Sequence, residues 1–578
     1  VVFLPIALMG SMIGQFFKEF ALTVTFATIF SLIASFTLTP MLASKIIPQQ
    51  KHDSKWGLKF DAWFNRFAGL YARFLGFVLK SKKRSFSILG LTLLTLIISA
   101  GLASFLGMEL FPAMDQGNVT INVEMPQGSN LEMTAKTLTE IQNRVAKHKE
   151  VLHIATSLGS QGYIDTGTNL ASADVKLVDR KDRAYSSLEI ADQLTKELSS
   201  VPNALIKVSG TASMGRGSAP VEFYLQGQDN ERLEQLKKEV TAGIKDIPGL
   251  INLDTSTRSG RPELTLYPKR DQLASVGATV YDLAIAIRSS VEGLVSTQYR
   301  ESGNQYDIKI SLDDEAVNSP DKIMNLSVVI YGQSYLVSQL ADVRFTPSVN
   351  KITHRDRYKT IVFTGDLASG YQLGQIKGEI DKRIEQMRLP SGYQVIWGGD
   401  AEMMVETFSE MIRTFILAVL LTYMLLAAIL ESFAQPFLIM ATVPLALIGV
   451  ILSLLLTGLA LNIISMMSII MLVGIVVNNA ILILDYVNIK RREGYSVHDA
   501  LLEAGEMKLK PIVMSTIAII VGMLPMALGT GGAGKEIYQP MGIVSIGGLI
   551  ASTFLTLIII PAFYYLTSRD IHKTSKTN

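Results

Sequence analysis

The chain has 578 residues, of which 48% are hydrophobic and 18% charged; it carries a formal net charge of +2 and no cysteine. That apolar content points away from an ordinary soluble protein, and with 53 Lys and Arg against 51 Asp and Glu and no basic block set apart, the charge gives no sign of nucleic acid and none is expected as a partner. No disulfide can form anywhere in it.

The chain opens on VVFLPIALMG, which is too short to span a bilayer and lacks the charged region of a signal peptide, so it reads as the truncated end of a longer segment. An apolar run at 21–43 completes a first membrane unit, 1–46. Next, WGLKFDAWFNRFAGLYARFLGFVLK lies within a connector at 47–85. Its aromatics and cations predict an amphipathic helix at the cytoplasmic interface of the lipid bilayer, with a soluble linker helix as the competing reading. A second run, 86–106, is long enough to cross a hydrocarbon core of about 30 Å.

From 107 to 405 the periodicity changes to short alternating strands and amphipathic helices. NVTINVEMP alternates Val119, Ile121 and Val123 on one face. A helix follows with Leu131, Leu138, Ile141 and Val145, then strands near 150–157 and 172–178, a helix at 186–199 and the strand ALIKV. That order, βαββαβ, is the ferredoxin-like split βαβ unit, and it fills 107–212. The order recurs in PVEFYLQG, a helix at 230–246 and LINLD, then YKTIVFTG, a helix around Ile376 and Ile380, and YQVIWG. The second unit therefore spans 213–261 and 350–405, with a third module, 262–349, inserted in it. A cleft between the two units is the expected small-molecule site, unless the gap is purely structural. SLGSQGYIDTGTN (157–169) reads as a mobile loop beside that cleft. Met214, in GTASMGRGS, reads as packing before a soft-metal ligand. No metal site and no nucleophile motif is expected, so the chain reads as no enzyme.

Five further apolar runs, at 411–430, 437–457, 463–486, 511–530 and 541–566, form a membrane bundle over 406–566, and 567–578 is a polar tail. If the helices alternate in direction, KSKKR (80–84), KRRE (490–493), Lys508 with Lys510, and Arg569 with Lys573 and Lys576 fall on one side. By the positive-inside rule that side is cytoplasmic, which makes 107–405 extracytoplasmic. The N-terminal FLPIALMG and SLIASFTLTP resemble MLPMALGT and GLIASTFLTLIIIP near the end, in the same order. Such a repeat is how many transporters are built, and it implies a duplicated protein whose first half lies upstream of Val1.

In GIVVNNAILILDY (474–486), Asn478 and Asn479 fall near the middle of a span, where lipid cannot satisfy an amide, so they are expected to face protein or water. They either join helices or belong to a polar pathway. Asparagine does not titrate, and the other spans offer only hydroxyls at this depth, notably Ser515 and Thr516. The titrating groups of a proton-driven machine would come from elsewhere. Asp485, two turns beyond Asn478, reads as an interfacial anchor.

ELFPAMDQGNVTINVEMPQG, LAAILESFAQPF with Pro444 following, GIVVNNAILILDY and KLKPIVMSTIAIIVGMLP together resemble the resistance-nodulation-division (RND) exporters, in their hydrophobe/amphiphile efflux branch. The resemblance implies a homotrimer in the inner membrane of a Gram-negative bacterium. It also implies porter subdomains at 107–212 and at 213–261 with 350–405, and a docking subdomain at 262–349. A periplasmic adaptor protein and an outer-membrane channel would complete a tripartite system that needs no cofactor beyond the proton motive force. On the family's proton relay, Asn478 stands where well-studied drug exporters have lysine, followed by Asn479. Ser515 matches a relay threonine, and Lys508 a basic residue near the cytoplasmic mouth. Where those exporters line the cleft with phenylalanines, this chain reads Ala155, Ser157, Tyr163 and Asp174, a lining poor in aromatics. The implied function is export of small amphiphilic or hydrophobic compounds by alternating access. A proton-driven accessory of protein translocation and a metal-ion exporter are the competing readings.

Overall fold

A computed structural model describes residues 2–10, 12–46, 55–112, 115–161, 165–210, 219–257, 261–348, 352–530 and 535–568. Seven of its helices are long and apolar enough to cross a membrane. A short α1 (Phe3–Ala7) precedes α2 (Met12–Ile46), most of which, from Leu22 on, leaves its apolar side chains exposed in this chain. Then come the amphipathic α3 (Lys55–Leu79) and the spanning α4 (Lys82–Leu102).

The first outer unit runs β1 (Asn118–Glu124), α5 (Leu131–Val145), β2 (Val151–Gln161), β3 (Asp165–Leu177), α6 (Ser187–Leu198) and β4 (Leu205–Ser209). Its sheet is antiparallel in the order β2-β3-β1-β4. Alternation buries Val119, Ile121 and Val123 against Leu138, Ile141 and Leu194 of the two helices, which leaves the opposite sheet face open. Each helix is started by its own side-chain oxygen: Asn130 accepts from the Met133 N–H, and Ser186 with Glu189 forms a capping box.

The segment 157–169 is strand rather than loop on both sides of the tip. β2 and β3 pair down to Gln161 and Asp165, with a register shift between Leu158 and Ser160. Its glycines and hydroxyls mask a period of two that backbone pairing nevertheless supports, with Gly159 taking a positive φ at the irregularity.

The second unit runs β5 (Val221–Gly227), α7 (Asn230–Ile244) and β6 (Leu250–Thr255), and resumes after the insert with β13 (Thr353–Arg355), β14 (Tyr358–Leu367), α13 (Leu373–Met387) and β15 (Gln394–Trp397). β14 lies between β5 and β6, and β15 lies beyond β5. Phe223 and Phe363 stack at 4.7 Å between ring centroids in its core; burying each contributes roughly 2 kcal/mol.

The insert leaves and returns on β7 (Arg261–Pro268) and β12 (Ala341–Ser348), paired antiparallel along their whole length as a stalk. Between them lie α8 (Arg270–Ser275), α9 (Val280–Val291), β8 (Leu294–Glu301), β9 (Asn304–Ile310), α10 (Asp314–Val317), α11 (Pro320–Met324), β10 (Ser327–Ile330), β11 (Gln333–Leu336) and α12 (Val337–Leu340). Leu273, Leu283, Val328, Val337 and Leu340 form its small core. The β8–β9 hairpin is exposed at every residue.

Five helical segments close the chain into the membrane. α14 (Gly399–Leu430) has 32 residues, about 48 Å, so it begins outside the hydrocarbon and carries the outer domain down into it. α15 (Ala434–Met440) and α16 (Thr442–Thr457) make one span interrupted at Ala441, because Pro444 lacks the N–H that residue 440 would accept. α17 (Ile463–Arg492), α18 (Val497–Ala527) and α19 (Lys535–Thr567) follow. α18 starts well before the apolar run at 511 because Ser496 caps it and Val497, Ala500, Leu501 and Ala504 bury one stripe. α16 and α19 touch backbone to backbone: a Cβ on Gly449 would lie 2.1 Å from the Gly547 carbonyl oxygen. Small residues make that approach possible.

Candidate functional site

Asn478 and Asn479 lie on different faces of α17. Consecutive residues on a helix point about 100° apart, so only one of the two can face the bundle. Asn479 does, and is 4% exposed; its Nδ2 donates to Thr553 Oγ1 of α19 at 3.2 Å. Thr553 Oγ1 in turn lies 3.2 Å from Thr516 Oγ1 of α18. All three residues are buried near the middle of their spans, so one amide and two hydroxyls tie three helices together where no water competes. On the same α19 the hydroxyls of Ser545 and Thr556 are buried without a protein partner.

Asn478 is exposed on the surface of this chain. It stands on a stripe with Gly474, Asp485 and Ile489, all exposed, spaced four, seven and four residues apart along α17. Gly474 sits under α1, with Val2 Cγ2 3.2 Å from where a Cβ would be. Ser515, one position from Thr516, turns away from the array and donates to the Ile512 carbonyl at 2.9 Å. Lys508 lies farther along α18, its Nζ 5.0 Å from the centre of the Tyr486 ring. Of the residues matched to a relay, the structure thus brings only Asn479 into a side-chain network. The members it adds are Thr516 and Thr553. Thr516 stands out in sequence as a hydroxyl at the right depth; nothing in the sequence pairs Thr553 with α17.

The mouth of α17 is tied to the outer domain. The segment after α4 runs beside the start of α17, with the Leu461 N–H bonded to the Gly107 carbonyl at 2.8 Å and the Glu109 N–H to the Leu461 carbonyl at 3.1 Å. Its other side accepts from the outer domain, since the Gly374 N–H of α13 donates to the Met108 carbonyl at 2.8 Å. Asn462 caps α17 and also donates from Nδ2 to Glu109 Oε1 at 3.1 Å. Burial pushes the Glu109 carboxyl up to about 7, with the Asn462 amide offsetting part of the rise. Beyond it, Asp115 binds the side chain of Arg183 and accepts from the N–H groups of Gly117 and Ser187, which fixes the entry into β1.

Ala155, Ser157 and Asp174 lie exposed on the open face of the first sheet. Ala155 is paired with Asp174, and Thr120 Oγ1 donates to Asp174 Oδ1 at 2.9 Å. Lys207 shares this face through its pairing with Asn122, and its Nζ meets Asp254 of the second unit. Next to it, Asn252 Nδ2 donates to the Val208 carbonyl at 3.3 Å and to Asp366 Oδ2 at 2.9 Å. Burial raises the Asp366 carboxyl above its ordinary range, against the opposing pull of Asn252 and Lys207. The second unit therefore approaches the open face at its β4 edge, and that face is polar. Tyr163 and Met214 lie outside the described residues. On the insert, Leu264, Leu266, Leu283, Ile287, Val291 and Ile323 line an apolar groove of about 500 Å³.

A multi-span bundle with a buried polar array at mid-depth, braced to a large two-unit domain, defines a polytopic membrane protein. The chain belongs to the AcrB/AcrD/AcrF family of RND permeases, whose family model matches residues 1–568. It is 27% identical over 570 residues to the swarming motility protein SwrC of Bacillus subtilis (strain 168), an alignment that covers 98% of this chain and 53% of that protein. It also resembles two crystal forms of a heavy metal efflux pump, each with a TM-score of 0.83, 22% identity, and coverage of 98% of this chain and 56% of the other. At that identity the likeness establishes the fold alone. The chain spans about half the length of the relatives it matches.

Proposed function

We propose that the chain is part of an inner-membrane permease that uses proton influx to export small amphiphilic or hydrophobic compounds by alternating access. The observation that carries this reading is the Asn479–Thr553–Thr516 array, buried at mid-span in a member of this family. No member of the array changes charge, so the titrating carboxylates are supplied by other segments of the protein. The exposed Gly474–Asn478–Asp485 stripe is the surface on which those segments pack. Asn478 then faces the carboxylates directly, Ser515 and Lys508 lie on the cytoplasmic side of the path, and Asn479 keeps α17, α18 and α19 moving as one body.

Movement of α17 reaches the outer domain through the 107–110 segment, which is bonded at once to Leu461 and to Gly374. The two βαββαβ units act as porter subdomains, with the open face bearing Ala155, Ser157 and Asp174 as one wall of the cleft. The insert, with its exposed hairpin and apolar groove, is the docking subdomain for a periplasmic adaptor and an outer-membrane channel in a homotrimeric assembly. α3 lies at the cytoplasmic interface of the bilayer.

The test is accumulation of fluorescent amphiphiles in an efflux-deficient host expressing the full-length protein. Lower accumulation that a protonophore restores supports the reading. Resistance to silver or copper with unchanged amphiphile accumulation would instead support the metal-exporter reading, and impaired export of polypeptides the translocation reading.

A further inference from the structure

The helix α3 has two apolar faces where an ordinary surface helix has one. On the first, Phe64, Ala68, Leu75 and Leu79 are buried in the core shared with α18 and α19. The Tyr71 hydroxyl donates to the Leu557 carbonyl of α19 at 2.8 Å, and Gly505 of α18 leaves room for Leu75, whose Cδ2 lies 2.7 Å from where a Cβ would be. The second face carries Trp63, Phe67, Leu70, Phe74 and Phe77, at alternating spacings of four and three. These five are 43% to 64% exposed.

Beside that aromatic stripe runs a row of cations, Lys59, Arg66, Arg73 and Lys80, seven residues apart. Seven residues fall only about 20° short of two helical turns, so the row keeps to one side of the stripe for about 30 Å. All four are exposed, and none makes a salt bridge among the described residues. The position is pinned at membrane level, because the spanning α4 begins two residues after Lys80. Arg84 folds back from α4, its guanidinium 4.2 Å from the centre of the Phe77 ring.

A zwitterionic surface has no need of four unneutralised cations, whereas an anionic one is their complement. We propose that this face of α3 binds anionic phospholipid, the cations holding headgroup phosphates while the aromatic stripe enters the acyl region. The site thereby fastens lipid to the helix that braces α18 and α19. This inference rests on the chain's membrane placement and not on its export activity, so it stands or falls separately from the proposed function.

The experiment extracts the full-length protein from vesicles of equal phosphatidylcholine and phosphatidylglycerol and counts retained lipids by native mass spectrometry. The wild type should retain phosphatidylglycerol in preference. Arg66→Gln with Arg73→Gln should reduce that preference roughly thirtyfold, and Arg66→Lys with Arg73→Lys should preserve it. Elution profiles show whether the variants remain folded. Equal retention of both lipids by the wild type, or an unchanged preference in the glutamine variant, overturns the proposal. So does displacement of the lipid by inorganic phosphate at matched ionic strength, which would mark a simple anion site.

Discussion

The Glu109 carboxyl and the Asn462 side-chain amide meet at 3.1 Å where the first residues of α17 lie against the segment that leads into the outer domain. One asparagine thus caps a membrane helix and holds a buried acid at the same time. Because burial raises that acid from 4.5 to about 7, the folded protein holds its proton more tightly than the unfolded chain does. The contribution is therefore fully present below about pH 4.5 and is lost as pH rises toward 7. The thermal midpoint in detergent is expected to fall between pH 5 and pH 8, and Glu109→Gln should flatten that slope and stabilise the protein at pH 8. An equally steep slope in the variant would show that the ionisation lies elsewhere.

Asp115 and Arg183 form a pair in which the arginine side chain is only 1% exposed. Removing one partner of such a pair strands the other charge, at a cost of about 3–5 kcal/mol. Asp115→Ala should therefore unfold the first outer unit at a much lower denaturant concentration, read by proteolysis of 118–209. Asp115→Asn, which can still accept from Gly117, should do less damage.

The approach of Gly449 to the Gly547 carbonyl leaves no space for a methyl group, since the obstacle is backbone. Gly449→Ala should separate α16 from α19 at a cost of about 1–3 kcal/mol, and Gly449→Leu should abolish stable expression. A Gly449→Ala protein with the thermal midpoint of wild type would contradict the close packing.

Thr516→Val preserves shape and removes one hydroxyl from the Asn479 array. Interhelical hydrogen bonds of this kind are worth about 1 kcal/mol or less, so a small loss of stability is expected, together with a clear loss of efflux. Efflux unchanged by the substitution would reduce the array to packing.

Much of this was readable from residue patterns. The membrane spans are long apolar runs in α16 and α17, and the period of two in NVTINVE marks β1 because one face of its sheet is buried and the other open. Where two uses overlap, the signal blurs. The first half of α18 is amphipathic rather than apolar, so hydropathy alone places its start 14 residues late. The strands flanking residues 162–164 lose their alternation because little is buried on either side of β2 there. At the polar site, the depth of Asn478 and Asn479 was visible, but which of them points inward depends on the rotation of α17 against α19. Thr553 carries no local mark at all. Its role arises only when two spans 74 positions apart are brought together.

If Asn479 locks α17, α18 and α19 into one body that moves with proton influx, the most direct test is proton flux in proteoliposomes containing the full-length protein with Asn479→Leu. Substrate-dependent proton movement and substrate export should fall together, by about tenfold or more, while the protein still assembles. Proton movement and export at wild-type rates in the leucine variant would contradict it.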